Sequence, residues 1–212
     1  MINLFVSYFQ SENYDRSLEI ERCLFKNISL NLIDKIFLFS EQKDNLHDFI
    51  NRSKINYIKL QSRPKYSDFF KYIKENNLEF SINIISNADI YFNDTLDLTK
   101  YLKYDQCYAL SRWENEMFHP ASHSSQDAWI LKNVRNNLLL NSDIEMGQPG
   151  CDNRIAHVFK ECGYDICNPS HSLVINHEHG SNIRTYNNDN IIKGEYLDVF
   201  ACSINDVKIN LK

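Results

Sequence analysis

Four short apolar runs fall within the first ninety residues: Ile2 to Phe9, Ile33 to Phe39, Ile55 to Leu60 and Ser81 to Ser86. The first has the length and apolar character of a strand buried within a sheet, the last is an apolar strand, and the two between them read as strands as well. Two of the intervening stretches carry helical periodicity instead. Ile20, Cys23, Leu24 and Ile28 share a face after the first run, and Tyr66, Phe69, Phe70 and Ile73 share one after Pro64. Strands that alternate with helices need connections that cross the sheet. This predicts an α/β fold with a mainly parallel central sheet and helices on both faces.

Further along, Gln106 to Leu110 and Ala128 to Leu131 read as two more strands, with an irregular polar loop from Glu114 to Gln126 between them. Pro149-Gly150 turns the chain into a helix whose buried face is Ile155, Val158, Phe159 and Cys162. Ser172 to Ile175 reads as a last strand before His177-Glu178-His179, and the tail from Thr185 is polar. There is no repeat, low-complexity segment or linker, so residues 1–212 are expected to form one domain.

Glycine usage narrows the chemistry. The chain has five glycines, and the first is Gly147. A glycine-rich dinucleotide turn and a Walker loop both need glycines to bring backbone N–H groups against phosphate. Neither can exist in the first two-thirds of the chain. A nucleotide would have to be held by side chains or by a metal.

The formal charge is −5, from 23 basic and 28 acidic residues without a long basic run. That argues against an extended nucleic-acid groove. No apolar stretch is long enough to span a membrane, and Met1 to Ser7 has neither the basic region nor the cleavage site of a signal peptide. Six cysteines are scattered through the chain. They are expected to be reduced and structural, in a cytoplasmic protein.

Right-handed crossovers place strand carboxyl ends on one edge of such a sheet, where ligands bind. The polar residues closing the strands are Ser7, Tyr8, Arg63, Asn87, Asp89, Arg112, Asp127 and His177. The sharpest feature is Asn87-Ala88-Asp89, in which a buried strand runs into a carboxylate before an apolar segment resumes. Two readings fit it: a ligand for a hard divalent cation, or an Asx turn or cap. Cys151, Cys162, Cys167 and His171 lack the paired spacing of a zinc site, and His177-Glu178-His179 lacks the spacing of a zinc protease.

Asn87-Ala88-Asp89 resembles the Asp-x-Asp metal-binding signature of GT-A-fold nucleotide-sugar glycosyltransferases. Other segments resemble the same family in the same order. They are Asn3 to Tyr8, Arg63-Pro64, Ala109 to Trp113, Ser125 to Trp129, Gly147 to Arg154, and His177 to His179. The likeness extends to the N-terminal domain of large glycosyltransferases of chlorella viruses. It implies a single GT-A (Rossmann-like) domain, cut from a longer polypeptide, that uses a UDP-sugar and Mn²⁺ or Mg²⁺.

Under this resemblance Asp89 is the metal ligand, joined by His177 or His179. The two histidines are two apart and would point oppositely on a strand, so one is expected to face the site, and His177 is preferred. Asn87 stands where the family has its first Asp, which removes a negative charge. Ser7, Tyr8, Arg63, Ala88 and Arg184 are implied to hold the nucleotide. Asp152 is implied as the catalytic carboxylate, with Asp127 as a sugar ligand; Asp152 reads equally as a helix cap. Arg112 and Trp113 would form an acceptor platform.

Inverting and retaining outcomes both stay open. UDP-glucose or UDP-L-rhamnose is the implied donor and a viral glycan the implied acceptor, which sets the enzyme in the host cytoplasm. Two other readings compete. One is a non-catalytic nucleotide-sugar or glycan-binding domain on the same fold, which the Asn87 departure favours. The other is a sugar nucleotidyltransferase, which the missing N-terminal glycine loop disfavours.

Overall fold

The computed structural model describes residues 1–41, 54–181, 183 and 188–209. In chain order its main elements are β1 (Ile2–Ser7), α1 (Tyr14–Ser29), β2 (Lys35–Ser40), β3 (Ile55–Lys59), α2 (Tyr66–Glu75), β4 (Ile82–Asn87) and β5 (Ile90–Phe92). There follow β6 (Gln106–Leu110), β7 (Trp113–Glu114), β8 (Met117–Phe118), β9 (Ala128–Leu131), α3 (Asn136–Asn141), α4 (Cys151–Glu161), β10 (Asp165–Cys167), β11 (Ile175–His177) and α5 (Ile204–Ile209).

Seven strands form the main sheet in the order β10-β6-β9-β4-β1-β2-β3. The four apolar runs become β1 to β4, and these pair in parallel. Their side chains divide the core by simple alternation. Phe5, Phe37, Phe39 and Ile85 join Trp129 under α2, α3 and α4, where Phe69, Phe70 and Phe159 pack. Leu4, Val6, Ile36, Leu38 and Ile84 face the other way, against Ile20 and Leu24 of α1. A strand buried on both faces needs an apolar residue at every position, and β1 supplies one from Leu4 to Val6.

One strand departs from the expected polarity. β9 runs antiparallel to both β4 and β6. It therefore presents its amino end, and the residues before it, at the edge where the parallel strands present their carboxyl ends. Asp127 reaches that edge this way: its N–H bonds Leu110 O at 2.8 Å, and Asn87 N bonds its carbonyl at 3.1 Å.

A second sheet, ordered β5-β11-β7-β8, gathers segments with weak strand signals. The expected strand over Ser172 to Ile175 is displaced. Residues 172–174 form a turn and bend, with Ser172 and Leu173 N–H on Pro169 O, and pairing begins at Ile175. Within the expected loop, β7 and β8 make a hairpin whose two turn residues, Asn115 and Glu116, both have positive φ (47° and 65°). That is the backbone a two-residue hairpin requires. The polar tail docks as well, through Leu197 N to Asn153 O, Val199 N to His123 O and Cys202 N to Asn168 O. No helix among the described residues is long and apolar enough to cross a membrane.

Candidate active site

At Ala88-Asp89 the chain leaves the main sheet for the small one, and the candidate site surrounds that turn. β4 ends at Asn87, in register with Ser7 of β1. Asp89 follows, 7% exposed. Register in the small sheet sets its neighbours: His177 pairs with Ile90, and Asn176 pairs with Trp113. The end of β11 thus lies between the carboxylate before β5 and the one that ends β7.

Asp89 Oδ2 gathers three nitrogens: Arg16 Nη2 at 2.5 Å, His177 Nε2 at 3.1 Å and His179 Nδ1 at 3.5 Å. Oδ1 is buried with no hydrogen-bond partner among the described residues. Burial opposes ionisation here, but hydrogen bonds from His177 and His179, with the charges of His177 and Arg16, hold Asp89 well below the usual carboxylate range.

The other ring nitrogen of His177, Nδ1, lies 2.9 Å from Glu114 Oε1. Burial disfavours the charged ring, yet the hydrogen bond and charge of Asp89 outweigh it and raise the His177 pKa. A neutral imidazole has one N–H and can donate to only one of two carboxylates. Both contacts are satisfied when the ring is protonated, or when a cation replaces the proton on Nε2.

Ligand atoms of Asp89, His177 and His179 all lie within 4.8 Å of one another. One carboxylate oxygen and two imidazole nitrogens suit a borderline divalent cation. Asp89 Oδ1 and the buried His179 Nε2, both without a partner among the described residues, are what a polar ligand set shows when built to serve more than its own side chains. The residues fit a metal. Both histidines face Asp89, which corrects the expectation that one would: β11 stops at His177, so strand alternation lapses, and the two rings stack 5.2 Å apart.

The helix α1 supports this cluster from behind. Asn13 caps it by accepting from Arg16 N, which fixes Arg16 in the first turn. Arg16 Nη1 donates to Glu19 Oε2 at 3.0 Å. Glu19 also takes Ser181 N at 2.6 Å and Ser181 Oγ at 2.9 Å, while Lys26 Nζ holds Glu178 at 2.9 Å. Arg16 and Glu19 were invisible in the sequence because a polar helix position ordinarily faces water.

Two more carboxylates stand near the cluster. Asp127, 6% exposed, accepts from Asn87 Nδ2 at 3.1 Å and from Arg112 Nη1 at 3.0 Å. Arg112 also reaches Glu114 (2.6 Å), Ser125 (2.8 Å) and His119 Nε2 (3.0 Å). Burial and the charge of Arg112 lower the His119 pKa, in keeping with a ring nitrogen that accepts from a guanidinium. Asp152 is half-buried in the first turn of α4. Burial first, and the charge of Asp127 second, push its pKa up to about 7. The cap position of α4 is Gly150, in a left-handed conformation with no side-chain cap bond. Asp152 is therefore not the capping residue; Cys151 Sγ lies 3.2 Å from its Oδ1.

The remaining expected residues lie as follows. Ser7 is half-buried at the end of β1, and Ala88 is buried. Tyr8 packs in the core beneath α1, its phenol pushed up to about 12 by burial and then by Glu21. Arg63 ties down the loop before α4, with Nε on Met146 O at 2.8 Å and Nη2 on Gly147 O at 3.3 Å. A Cβ on Gly147 would stand 2.7 Å from that guanidinium. Trp113 donates Nε1 to Ser170 O at 2.9 Å and packs on Phe118. Arg184 lies outside the described residues.

No protein-family model and no curated protein matches the chain. Solved structures do. A mannosyltransferase from Pyrobaculum calidifontis, in complex with GDP-Man and Mn²⁺, superposes with a TM-score of 0.53 at 13% identity, over 84% of this chain and 56% of that one. S. aureus TarS in complex with UDP-GlcNAc gives a TM-score of 0.54 at 12% identity, over 92% and 60%. The fold is GT-A. At these identities the likeness is one of architecture, and this chain spans 56% and 60% of the length of those two structures. Within the GT-A frame, the Asp89 turn and Asp127 share the carboxyl edge of the main sheet.

Proposed function

We propose that this chain is a metal-dependent glycosyltransferase domain that moves a hexose or deoxyhexose from a UDP-sugar to a glycan acceptor. The observation that carries this reading is the Asp89–His177–His179 cluster, a buried carboxylate with two half-buried imidazoles, at the strand-end edge of a GT-A sheet, with Asp127 and Asp152 nearby. The metal complexed by the mannosyltransferase is Mn²⁺, which the same nitrogen-and-oxygen donor set would accept here. Bound at Asp89, His177 and His179, the cation would supply positive charge to the departing diphosphate.

Asp152 serves as the carboxylate facing the sugar, and its raised pKa suits a group that takes a proton from an acceptor hydroxyl. Asp127 orients the sugar, itself held by Asn87 and Arg112. Ser7, Arg63 and Arg184 contribute to the nucleotide site, whereas Tyr8, packed in the core, drops out of it, and Trp113 offers an aromatic face to a sugar ring. UDP-glucose or UDP-L-rhamnose is the preferred donor. The resemblance to chlorella-virus enzymes favours a viral glycan acceptor and a longer parent chain working in the host cytoplasm.

One observation favours a second reading, a nucleotide-sugar or glycan-binding domain without turnover. Asn87 is engaged by Asp127, and Arg16 sits on the one carboxylate of the cluster, so the seat carries little negative charge. Release of UDP from UDP-glucose and UDP-L-rhamnose, measured with Mn²⁺ and again with EDTA, separates the two. The enzyme reading expects turnover that EDTA abolishes and Asp89→Asn removes. If there is no metal-dependent release and Asp89→Asn binds UDP as the wild type does, the binding-domain reading replaces it.

A further inference from the structure

His177 is flanked by two carboxylates on opposite ring nitrogens, Asp89 on Nε2 and Glu114 on Nδ1. The arrangement follows from register, because β11 pairs with β5 on one side and β7 on the other. Glu114 is itself fixed: Arg112 Nε donates to the same Oε1 at 2.6 Å, and the hairpin turn at Asn115-Glu116 begins immediately after it. Arg112 Nη1 continues to Asp127. A chain of charge-assisted hydrogen bonds thus runs Asp89–His177–Glu114–Arg112–Asp127.

We infer that Glu114 is a positioning residue that acts through His177. It accepts Nδ1–H, fixes the ring tautomer and orientation, and leaves Nε2 as the lone pair for a cation; a carboxylate behind an imidazole also makes the ring a better donor. The inference rests on the metal site proposed above. Glu114 is the suited residue because its side chain is 40% exposed and lies outside the core, so it can be changed without opening a cavity.

The test is Mn²⁺ binding to the protein alone, measured from the free-ion electron paramagnetic resonance signal, in a double-mutant cycle. Glu114→Ala should weaken Mn²⁺ binding about 10–100-fold, and Glu114→Gln, which can still accept Nδ1–H, should weaken it less. His177→Ala should also weaken it, and Glu114→Ala in that background should add nothing. A merely structural Glu114 would lower affinity equally in both backgrounds, and that additivity overturns the inference. Unchanged affinity in Glu114→Ala overturns it too, while wild-type binding that Asp89→Asn abolishes leaves the metal site standing. If the wild type binds no Mn²⁺, both fall together.

Discussion

Asp152 and Asp127 share one neighbourhood but differ in environment. Asp127 is braced by Arg112 and Asn87, whereas Asp152 has a Cys151 thiol against it and the charge of Asp127 nearby. Environments that differ this way separate an anchoring carboxylate from one able to exchange a proton. If Asp152 works as the carboxylate, activity is lost as pH falls through about 7, where the group protonates, and is recovered above it. A pH–kcat profile of the wild type should show that limb. Asp152→Asn should lower kcat by about 10²–10⁴-fold and leave Mn²⁺ affinity near wild type. An unchanged kcat would remove Asp152 from the reaction.

Among the elements, α1 and the short strand β5 are joined by one buried side chain. β5 is an edge strand of the small sheet, and Asn27, 2% exposed, completes its pairing from the helix. Asn27 Nδ2 donates to Ile90 O at 2.9 Å and Oδ1 accepts from Phe92 N at 3.0 Å. Asn27→Leu would leave two buried backbone groups unpaired, at about 1–3 kcal/mol for each group, with every kcal/mol lowering Tm by roughly 2–4 °C. Thermal unfolding followed by circular dichroism checks it. Because β5 carries the Asp89 turn, the same substitution should also weaken Mn²⁺ binding. A change in Tm without a change in affinity would show that the turn is held by the main sheet alone.

At the scale of the molecule, the site joins segments from residue 16 to residue 181. A ligand that binds only this assembled form must stabilise it, by about 2.7 kcal/mol at a hundredfold excess over Kd. Mn²⁺ should therefore raise Tm by several degrees, EDTA should reverse the rise, and Asp89→Asn should show none. A rise that survives Asp89→Asn would place the cation elsewhere.

Residue order alone determined the parallel half of the sheet, because a strand buried on both faces must be apolar at every position and a crossover helix must show an apolar stripe. It also marked Asn87-Ala88-Asp89 as a strand-end turn, since an abrupt polar break in an apolar run is a local signal. The tertiary structure decided what those residues meet. β9 reverses direction, and that brings Asp127 to the same edge as Asn87, although nothing in Ala128 to Leu131 encodes polarity. Register between strands of two or three residues puts Glu114 behind His177, and such short strands carry too few side chains to show a period. Arg16 reaches Asp89 across 73 positions of chain. A buried ion pair is fixed by proximity in space, and polar residues in a helix look alike until the surface they face is known.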